Sequence, residues 1–470
     1  MKNEDSTATD LLEAALSAAH AAETVLARAP RSQRADALRR VAVALHENRT
    51  ELVAVADAET GLGPTRLDGE ITRTAFQLDV FATMLEERAP EGIVIDHADA
   101  EWPPSPRPDL RRRLRPLGVV AMFAAGNFPF AFSVVGGDTA SALAAGCPVI
   151  VKVHSGHPRL SRRVGALACA AIADAGLPEG TLGLIEGREA GRALVLDDRV
   201  EAVAFTGSTS GGRALFDLAC GRPRPIPFFG ELGSVNPVFV TMRAAREDGE
   251  RIWKELAGSF TLGAGQFCTK PGIVFAPRTA DSASAVASAL SADASWRMLD
   301  QRIADGFAHR IEEMTRRADV ETIVRGTVDG LVATPTLLRT DIKAFLADPA
   351  GLSEESFGPT TLLVEYDSED QLLAAAGQFV GELTATLQAF PDDSIAPALI
   401  DALEPVAGRL LWNQWPTGVT VTGAMQHGGP YPASTSGRDT SVGMAALDRF
   451  LRPVAYQNFP ASLLPVELRD

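Results

Sequence analysis

The stretch Gly118-Val-Val-Ala-Met-Phe-Ala-Ala-Gly126, followed by Cys147-Pro-Val-Ile-Val-Lys-Val-His154, decides the fold class. Each is a short, continuous apolar run, as expected for a strand buried on both faces of a parallel sheet. The Ala/Gly-rich segment 137–146 between them reads as a helix stopped by Gly146. A helix over 160–175, the run 181–185 and a strand over 200–205 continue the alternation. Strand, helix, strand, helix, strand predicts a doubly wound α/β unit.

Upstream, residues 9–89 carry helical spacing: Leu38, Val41 and Leu45, then Leu52 and Val53, recur every three to four positions after a cap expected at Ser32. Pro103, Pro104, Pro106 and Pro108 then break any helix. The run Arg111-Arg112-Arg113-Leu114-Arg115 reads as a solvated edge or interface strand guarded by charge. The longest apolar run, 164–173, reads as a buried helix. Downstream, a second α/β region over 235–424 has expected strands at 237–240 and 272–275 and a long helical stretch at 281–317. The closing segment ends in Phe450, Tyr456, Phe459, Leu463 and Leu464, an apolar tail expected to dock, with a second subunit as one surface for it.

Composition bounds the function. The 470 residues allow about three domains. A hydrophobic content of 46% with 22% charged residues is globular. The net charge of −16 disfavours nucleic acid as a partner. No secretory signal and no apolar run of about 20 residues are present, so no membrane span is expected. Four widely separated cysteines without a C-x-x-C pair, and seven histidines without H-E-x-x-H, argue against disulfides and against a metal site. A cytoplasmic protein is the expectation.

Four short motifs could carry chemistry. Phe205-Thr206-Gly207-Ser208-Thr-Ser-Gly-Gly212 follows a strand and opens a helix, offering backbone N–H groups to a phosphate. It is followed by Arg213-Ala214, so it is not a nucleotide-hydrolysing loop. Cys268, among small residues in Gly263-Ala-Gly-Gln-Phe-Cys268-Thr, has room for a substrate and an oxyanion at its own N–H. Glu231, after Phe228-Phe229-Gly230, sits in an apolar setting that predicts a raised pKa suited to a general base. Asn127 stands at the C-terminal end of a strand, where α/β ligands bind, and its amide can donate to an oxyanion. Each motif alone also fits a plain packed cysteine, a surface turn or a turn former.

Their order is more specific. Asn127, Lys152 after Val-Ile-Val, Phe205-Thr-Gly-Ser208, Glu231-Leu-Gly, Gly265-Gln-Phe-Cys268 and Glu355-Ser-Phe-Gly-Pro359 together resemble the NAD(P)-dependent aldehyde dehydrogenase superfamily over residues 5–465. The resemblance implies Cys268 as nucleophile, Asn127 as oxyanion donor and Glu231 as the base that activates water for thioester hydrolysis. It implies Lys152 at the adenosine ribose, Ser208 at the pyrophosphate, Glu355 at the nicotinamide ribose and Phe357 beside the nicotinamide, with Ser155, Thr206 and Gly207 also binding the cofactor. It also implies a Rossmann-type cofactor domain (1–97 and 118–231), a catalytic domain (232–424) and an oligomerisation element (98–117 and 425–470), hence a homodimer or homotetramer.

Ser234 after Glu231-Leu-Gly, the continuation Cys268-Thr-Lys-Pro-Gly272, Trp415-Pro-Thr-Gly418 and His427-Gly-Gly-Pro-Tyr-Pro-Ala433 are similar to the subgroup that oxidises 2,5-dioxovalerate (α-ketoglutarate semialdehyde) in pentose and sugar-acid breakdown. Long-chain aldehyde dehydrogenases share parts of this pattern and are the alternative. A CoA-acylating relative usually lacks the Glu231 base, and a non-catalytic binding protein on this scaffold should have lost Cys268 or Glu231. Proximity to the motifs suggests Phe130, Phe132, Gln266, Phe267 and Trp415 as aldehyde-pocket residues; none of them is a cation to pair with a substrate carboxylate. Many NAD-preferring relatives carry a Glu three residues after the ribose lysine. Here Lys152-Val-His-Ser155 has none, and His154, His157 and Arg159 add donors, so NADP is expected to be preferred over NAD. Arg188 and Arg192 are the candidate partners of its 2′-phosphate.

Overall fold

The computed structural model describes residues 2–87, 92–291 and 293–470, with side chains from residue 9 onward. Four helices come first: α1 (Lys2–Arg28), α2 (Arg31–Glu47), α3 (Arg49–Thr60) and α4 (Pro64–Glu87). In α2 the spaced Leu38, Val41 and Leu45 are buried, as their periodicity requires. The chain enters α2 at Pro30, so Ser32 lies inside the first turn and is not its cap. α4 packs on α2 and buries Leu67, Ile71, Leu78 and Phe81, but also Glu70, Thr74 and Gln77. Residues 88 and 89, where the helical reading of the sequence ends, lie outside the described residues.

Strands β1 (Val94–Asp96) and β2 (Leu110–Pro116) pair antiparallel, and the strand Leu451–Gln457 pairs antiparallel on the other side of β2. The arginine run is therefore the middle strand of this sheet, not an edge. Arg111 is buried because Asp109 (2.9 Å) and Asp470 (2.9 Å) neutralise it, with the Leu468 carbonyl at 2.7 Å. Asp470 stands 359 positions away along the chain, which is why the run reads as solvated.

The five-stranded parallel sheet has the order β5-β4-β3-β6-β7, from β3 (Val119–Phe123), β4 (Val149–Lys152), β5 (Leu182–Ile185), β6 (Val200–Thr206) and β7 (Phe228–Glu231). Every residue of β3 is buried. α5 (Gly137–Ala145) is buried throughout and ends at Gly146, whose φ of 96° terminates it. α6 (Pro158–Asp174) buries one face only: Val164, Ala168 and Ile172 pack inward while Cys169 is exposed, so the 164–173 run is half-solvated. α7 (Arg188–Leu196) and α8 (Thr209–Cys220) complete this layer. Strand order reverses between β3 and β6, placing Asn127 and Thr206-Gly207-Ser208 together at the carboxyl ends where such sheets bind ligands.

The seven-stranded sheet runs Glu321–Val324, Thr336–Asp341, Thr360–Tyr366, β9 (Ile273–Pro277), β8 (Val238–Val240), Glu382–Gln388 and Ala407–Trp412. Only its first pair is antiparallel. The expected long helix at 281–317 is instead two helices, Ser282–Ala289 and Gln301–Arg316. Between them Trp296–Arg297 pairs with Val332–Ala333, and the Asp300 carboxylate accepts from the Ile303 N–H (2.9 Å) to start the second helix afresh.

In the first turn of α5, Asp138 is ion-paired with Arg449, both buried, and the Arg449 guanidinium lies over the Phe229 and Phe450 rings. The pair ties the C-terminal segment to the core. Asp138→Ala leaves a buried guanidinium without its counter-charge and is expected to lower the unfolding free energy by about 3–5 kcal/mol. Urea denaturation of the two proteins measures it.

Candidate active site

Cys268 follows a run of left-handed backbone: Gly263, Ala264 and Gly265 have φ of 57°, 60° and 63°. At Gly265 a side chain is impossible, since its Cβ would lie 2.1 Å from the Gly358 carbonyl oxygen. The cysteine loop is thus pressed against the loop that carries Glu355 and Phe357. Lys270 closes the same contact, its buried ammonium donating to the carbonyls of Ser356 (2.7 Å) and Thr360 (2.9 Å). From below, the Asn236 amide donates to the carbonyls of Cys268 (2.8 Å) and Lys270 (3.0 Å). Buried Glu382 in turn accepts from Ser234 Oγ (2.6 Å) and from the N–H groups of Val235 (2.9 Å) and Asn236 (3.1 Å). Ser234 therefore has a structural task that a glycine would leave undone.

Glu231 ends β7 and is buried. His427 Nε2 lies 2.9 Å from Glu231 Oε1 and 3.5 Å from Cys268 Sγ, and Ser441 Oγ donates to the other carboxylate oxygen. The expected raised pKa of Glu231 is not found. Burial pushes it up, but the charge and hydrogen bond of His427, with the Ser441 and Cys268 bonds, hold it below the usual carboxylate range. The Cys268 thiol moves the other way, pushed well up by burial first and by the neighbouring Glu231 charge second. The resting site thus pairs a thiol with a carboxylate. Sγ, Nε2 and a carboxylate oxygen lie within 4.8 Å of one another, a donor set that also suits a thiophilic cation such as Zn²⁺. His427 stands in the sequence only as the first residue of the His427-Gly-Gly-Pro motif; its contact is invisible until the chain brings it 196 positions back to Glu231.

The Asn127 amide donates to the Gln266 carbonyl (3.0 Å), which leaves its second N–H for an oxyanion. A groove of about 330 Å³ begins here and is lined by Thr206, Gly207, Ser208, Glu231, Cys268, Glu355 and Phe357. Ser208 caps α8, accepting from the Gly211 N–H (3.3 Å), so the helix N-terminus opens into the groove, a setting fit for a dinucleotide phosphate. Burial raises Glu355 to about 7 against the pull of Lys270, and burial lowers Lys270 to about 8.

The donors expected from 152–159 are fewer than the sequence suggests. Lys152 ends β4 and His154 lines the groove. His157 is buried, 3.0 Å from both the Ala125 carbonyl and Ser161 Oγ, and stacks on His154. α6 starts at Pro158 and carries Arg159 away to Glu59 (3.6 Å), while Ser155 is exposed outside the groove lining. Arg188 and Arg192 are not on that lining either; Arg192 faces Glu189 (3.8 Å). Arg302 takes their place, lining the groove near enough to Lys152 and His154 to lower the proton affinity of both, after the larger effect of burial.

Across from the groove, Phe128 meets Phe132 and Phe267 edge-to-face at 5.2 and 5.3 Å. Of the expected pocket residues, Phe132 and Phe267 stand here. Phe130 is core beneath α4, and Trp415 packs on the β8–β9 core with its indole N–H donating to Glu255 (2.9 Å). Gln266 is buried and braces its own loop, accepting from the Leu299 N–H (3.0 Å). Two cations absent from that expectation cover the ring cluster, and a third binds the 416–418 loop. Arg66 lies over Phe128 and Phe267 (5.2 and 5.0 Å), Arg73 lies over Phe132 (5.0 Å), and Arg409 donates to the Pro416 (2.7 Å) and Gly418 (3.1 Å) carbonyls. The spacing of Arg66, Glu70 and Arg73 on one helix face was the available signal.

A buried thiol, a carboxylate and an amide at the mouth of a groove that opens on a helix N-terminus suit an enzyme that carries its substrate on sulfur. The chain belongs to the aldehyde dehydrogenase family, which matches residues 2–454. It is 40% identical over 467 residues to the alpha-ketoglutaric semialdehyde dehydrogenase of Acinetobacter baylyi, covering 98% of this chain and 89% of that one. It is 45% identical over 427 residues to alpha-ketoglutaric semialdehyde dehydrogenase 2 of Azospirillum brasilense, covering 89% and 81%. The fold is shared with the glyceraldehyde-3-phosphate dehydrogenase of Methanocaldococcus jannaschii complexed with NADP, at a TM-score of 0.78 and 18% identity over 95% and 93% of the two chains. The protein is an aldehyde-oxidising enzyme that works with NAD(P).

The opposed shifts at Cys268 and Glu231 give a direct test. Glu231→Gln removes the charge that suppresses the thiolate, so Cys268 should react with iodoacetamide about tenfold faster at pH 8. A slower reaction would mean instead that Glu231 speeds the thiol more as its proton acceptor than its charge suppresses the thiolate.

Proposed function

We propose that this enzyme oxidises 2,5-dioxovalerate to 2-oxoglutarate, with NADP preferred. The observation that carries the reading is the likeness to two alpha-ketoglutaric semialdehyde dehydrogenases along nearly the whole chain. Cys268 gives its proton to the Glu231–His427 pair as its sulfur adds to the aldehyde carbon. Asn127 Nδ2 and the Cys268 N–H hold the oxyanion so formed. The bound dinucleotide supplies the hydride acceptor. Once the hydride has left, the oxidised carbon stays on Cys268 as a thioester. With the thiol proton released from the pair to solvent, Glu231 takes the proton of an attacking water and the C–S bond breaks with the thiolate as leaving group.

Lys152 binds the adenosine ribose, Thr206, Gly207 and Ser208 the pyrophosphate, and Glu355 the nicotinamide ribose, with Phe357 beside the nicotinamide. The absence of a carboxylate three residues after Lys152, with Arg302 and His154 nearby, supports a 2′-phosphate there. The five-stranded sheet forms the cofactor domain and the seven-stranded sheet the catalytic one, as the boundaries at 231 and 424 divide them. The sheet of β1, β2 and Leu451–Gln457 serves assembly into a dimer or dimer of dimers. Apolar Phe459, Leu463 and Val466 beside it are exposed, the last two by 70% and 73%. Among the described residues no helix is long and apolar enough to cross a membrane, and we place the enzyme in the cytoplasm.

An aldehyde panel tests the substrate: kcat/KM for 2,5-dioxovalerate should exceed that for pentanal and for long alkanals, and a preference for long alkanals would overturn it. Cys268→Ala should abolish aldehyde-dependent NADPH formation while cofactor still binds. Glu355, raised to about 7, is protonated below that pH and loses its anionic acceptor. The Kd for NAD should therefore rise about tenfold from pH 8 to pH 6. Glu355→Gln should flatten that profile in a fluorescence titration.

A further inference from the structure

Resting on the carboxylated substrate just proposed, we propose that Arg73, flanked by Arg66 and Arg409, is the specificity-determining cation that receives the substrate carboxylate, while the aldehyde carbon lies at Cys268. Two of the three guanidiniums come from α4 and lie over one ring cluster, and the third, on the strand Ala407–Trp412, binds the loop that Arg73 also reaches. Arg66 and Arg73 lie two turns apart on α4, over Phe267 and Phe132 respectively, and Phe267 is the residue before Cys268. Arg66 Nη2 donates to the Asn127 carbonyl (2.6 Å), beside the oxyanion amide. Arg73 Nη2 reaches the Val419 carbonyl (3.4 Å), and Arg409 binds the carbonyls of Pro416 and Gly418 in the same loop.

Each guanidinium is left incomplete. Nη1 of Arg66, Nη1 of Arg73 and Nε of Arg409 are buried without any hydrogen-bond acceptor. Buried donors on charged groups are ordinarily satisfied, and three around one site call for an acceptor with several lone pairs. Glu70, between Arg66 and Arg73 on α4, offsets their charge but completes neither hydrogen-bond set: Oε1 accepts from the N–H groups of Phe130 (2.8 Å) and Ala131 (2.9 Å), and the buried Oε2 bonds to neither guanidinium. A carboxylate fits the guanidinium fork, and the aromatic rings below favour a short carbon chain leading to it. Arg73 and Arg409 also respond to the charge of Cys268, which places them within electrostatic range of the reacting sulfur.

The test compares two aldehydes of one chain length, 2,5-dioxovalerate and pentanal, on wild type and on Arg73→Met, Arg66→Met and Arg409→Met, with thermal melting of each. Arg73→Met should lower kcat/KM for 2,5-dioxovalerate roughly 10- to 100-fold, mainly through KM, and change that for pentanal less than about threefold. The two flanking variants should show smaller losses in the same direction. Arg73→Lys keeps the charge without the fork and should recover part of the selectivity, which separates recognition from folding should the Met variant melt early. Equal losses on both aldehydes, or none, overturn the assignment of Arg73. A wild-type enzyme that prefers pentanal overturns the substrate reading itself. A wild type that prefers 2,5-dioxovalerate and keeps that preference in every variant overturns the cation site alone.

Discussion

The contact of Gly265 with the Gly358 carbonyl fixes where the nucleophile stands. A left-handed run that only glycine can finish brings the cysteine loop against the loop bearing Glu355. Lys270 then uses its charge to bind two carbonyls of that second loop, and Asn236 and Glu382 hold the first from beneath. The Cys268 thiol, the Glu355 carboxylate and the groove share this one junction. Little about their spacing can change while the junction persists.

The electrostatics of the junction are equally constrained. Burial alone would leave both Glu231 and Cys268 protonated. His427 and Ser441 select the carboxylate as the charged partner, and the carboxylate in turn suppresses the thiolate. The Cys268 thiol is thereby held in its protonated form in the resting site. Activation then depends on proton movement among three side chains and not on a standing thiolate.

Much of this was legible in the residues themselves. The strands around Gly118–Gly126 and Cys147–His154 could be read because both faces are buried, so their apolar runs are unbroken. Cys268, Glu231 and Asn127 lie in motifs whose order is more telling than any one of them, and the fold brings all three together. What failed depended on distant partners. The Arg111 strand looked solvated since Asp470 neutralises it from the other end of the chain, and Glu231 looked like a raised carboxyl since His427 is far away in sequence. Phe130 and Trp415 sit next to motif residues along the chain, yet the alternation of strand and loop turns them into core. Arg302 and Arg73 were hidden for the same reason: a helix face shows its charge, but not what it is carried against.

Helix α4 has a further consequence. Glu70 on this helix clamps the backbone after Asn127, while Arg66 and Arg73 on the same face lie over the aldehyde-side rings. The element that shapes the oxyanion loop is therefore the element that greets the substrate. Tilting it also displaces the backbone that carries Asn127. Descendants of this sequence can broaden their diet more readily through the 416–419 loop opposite, which touches the arginines without holding Asn127. Divergence in this lineage should leave α4 slow to vary and let that loop wander.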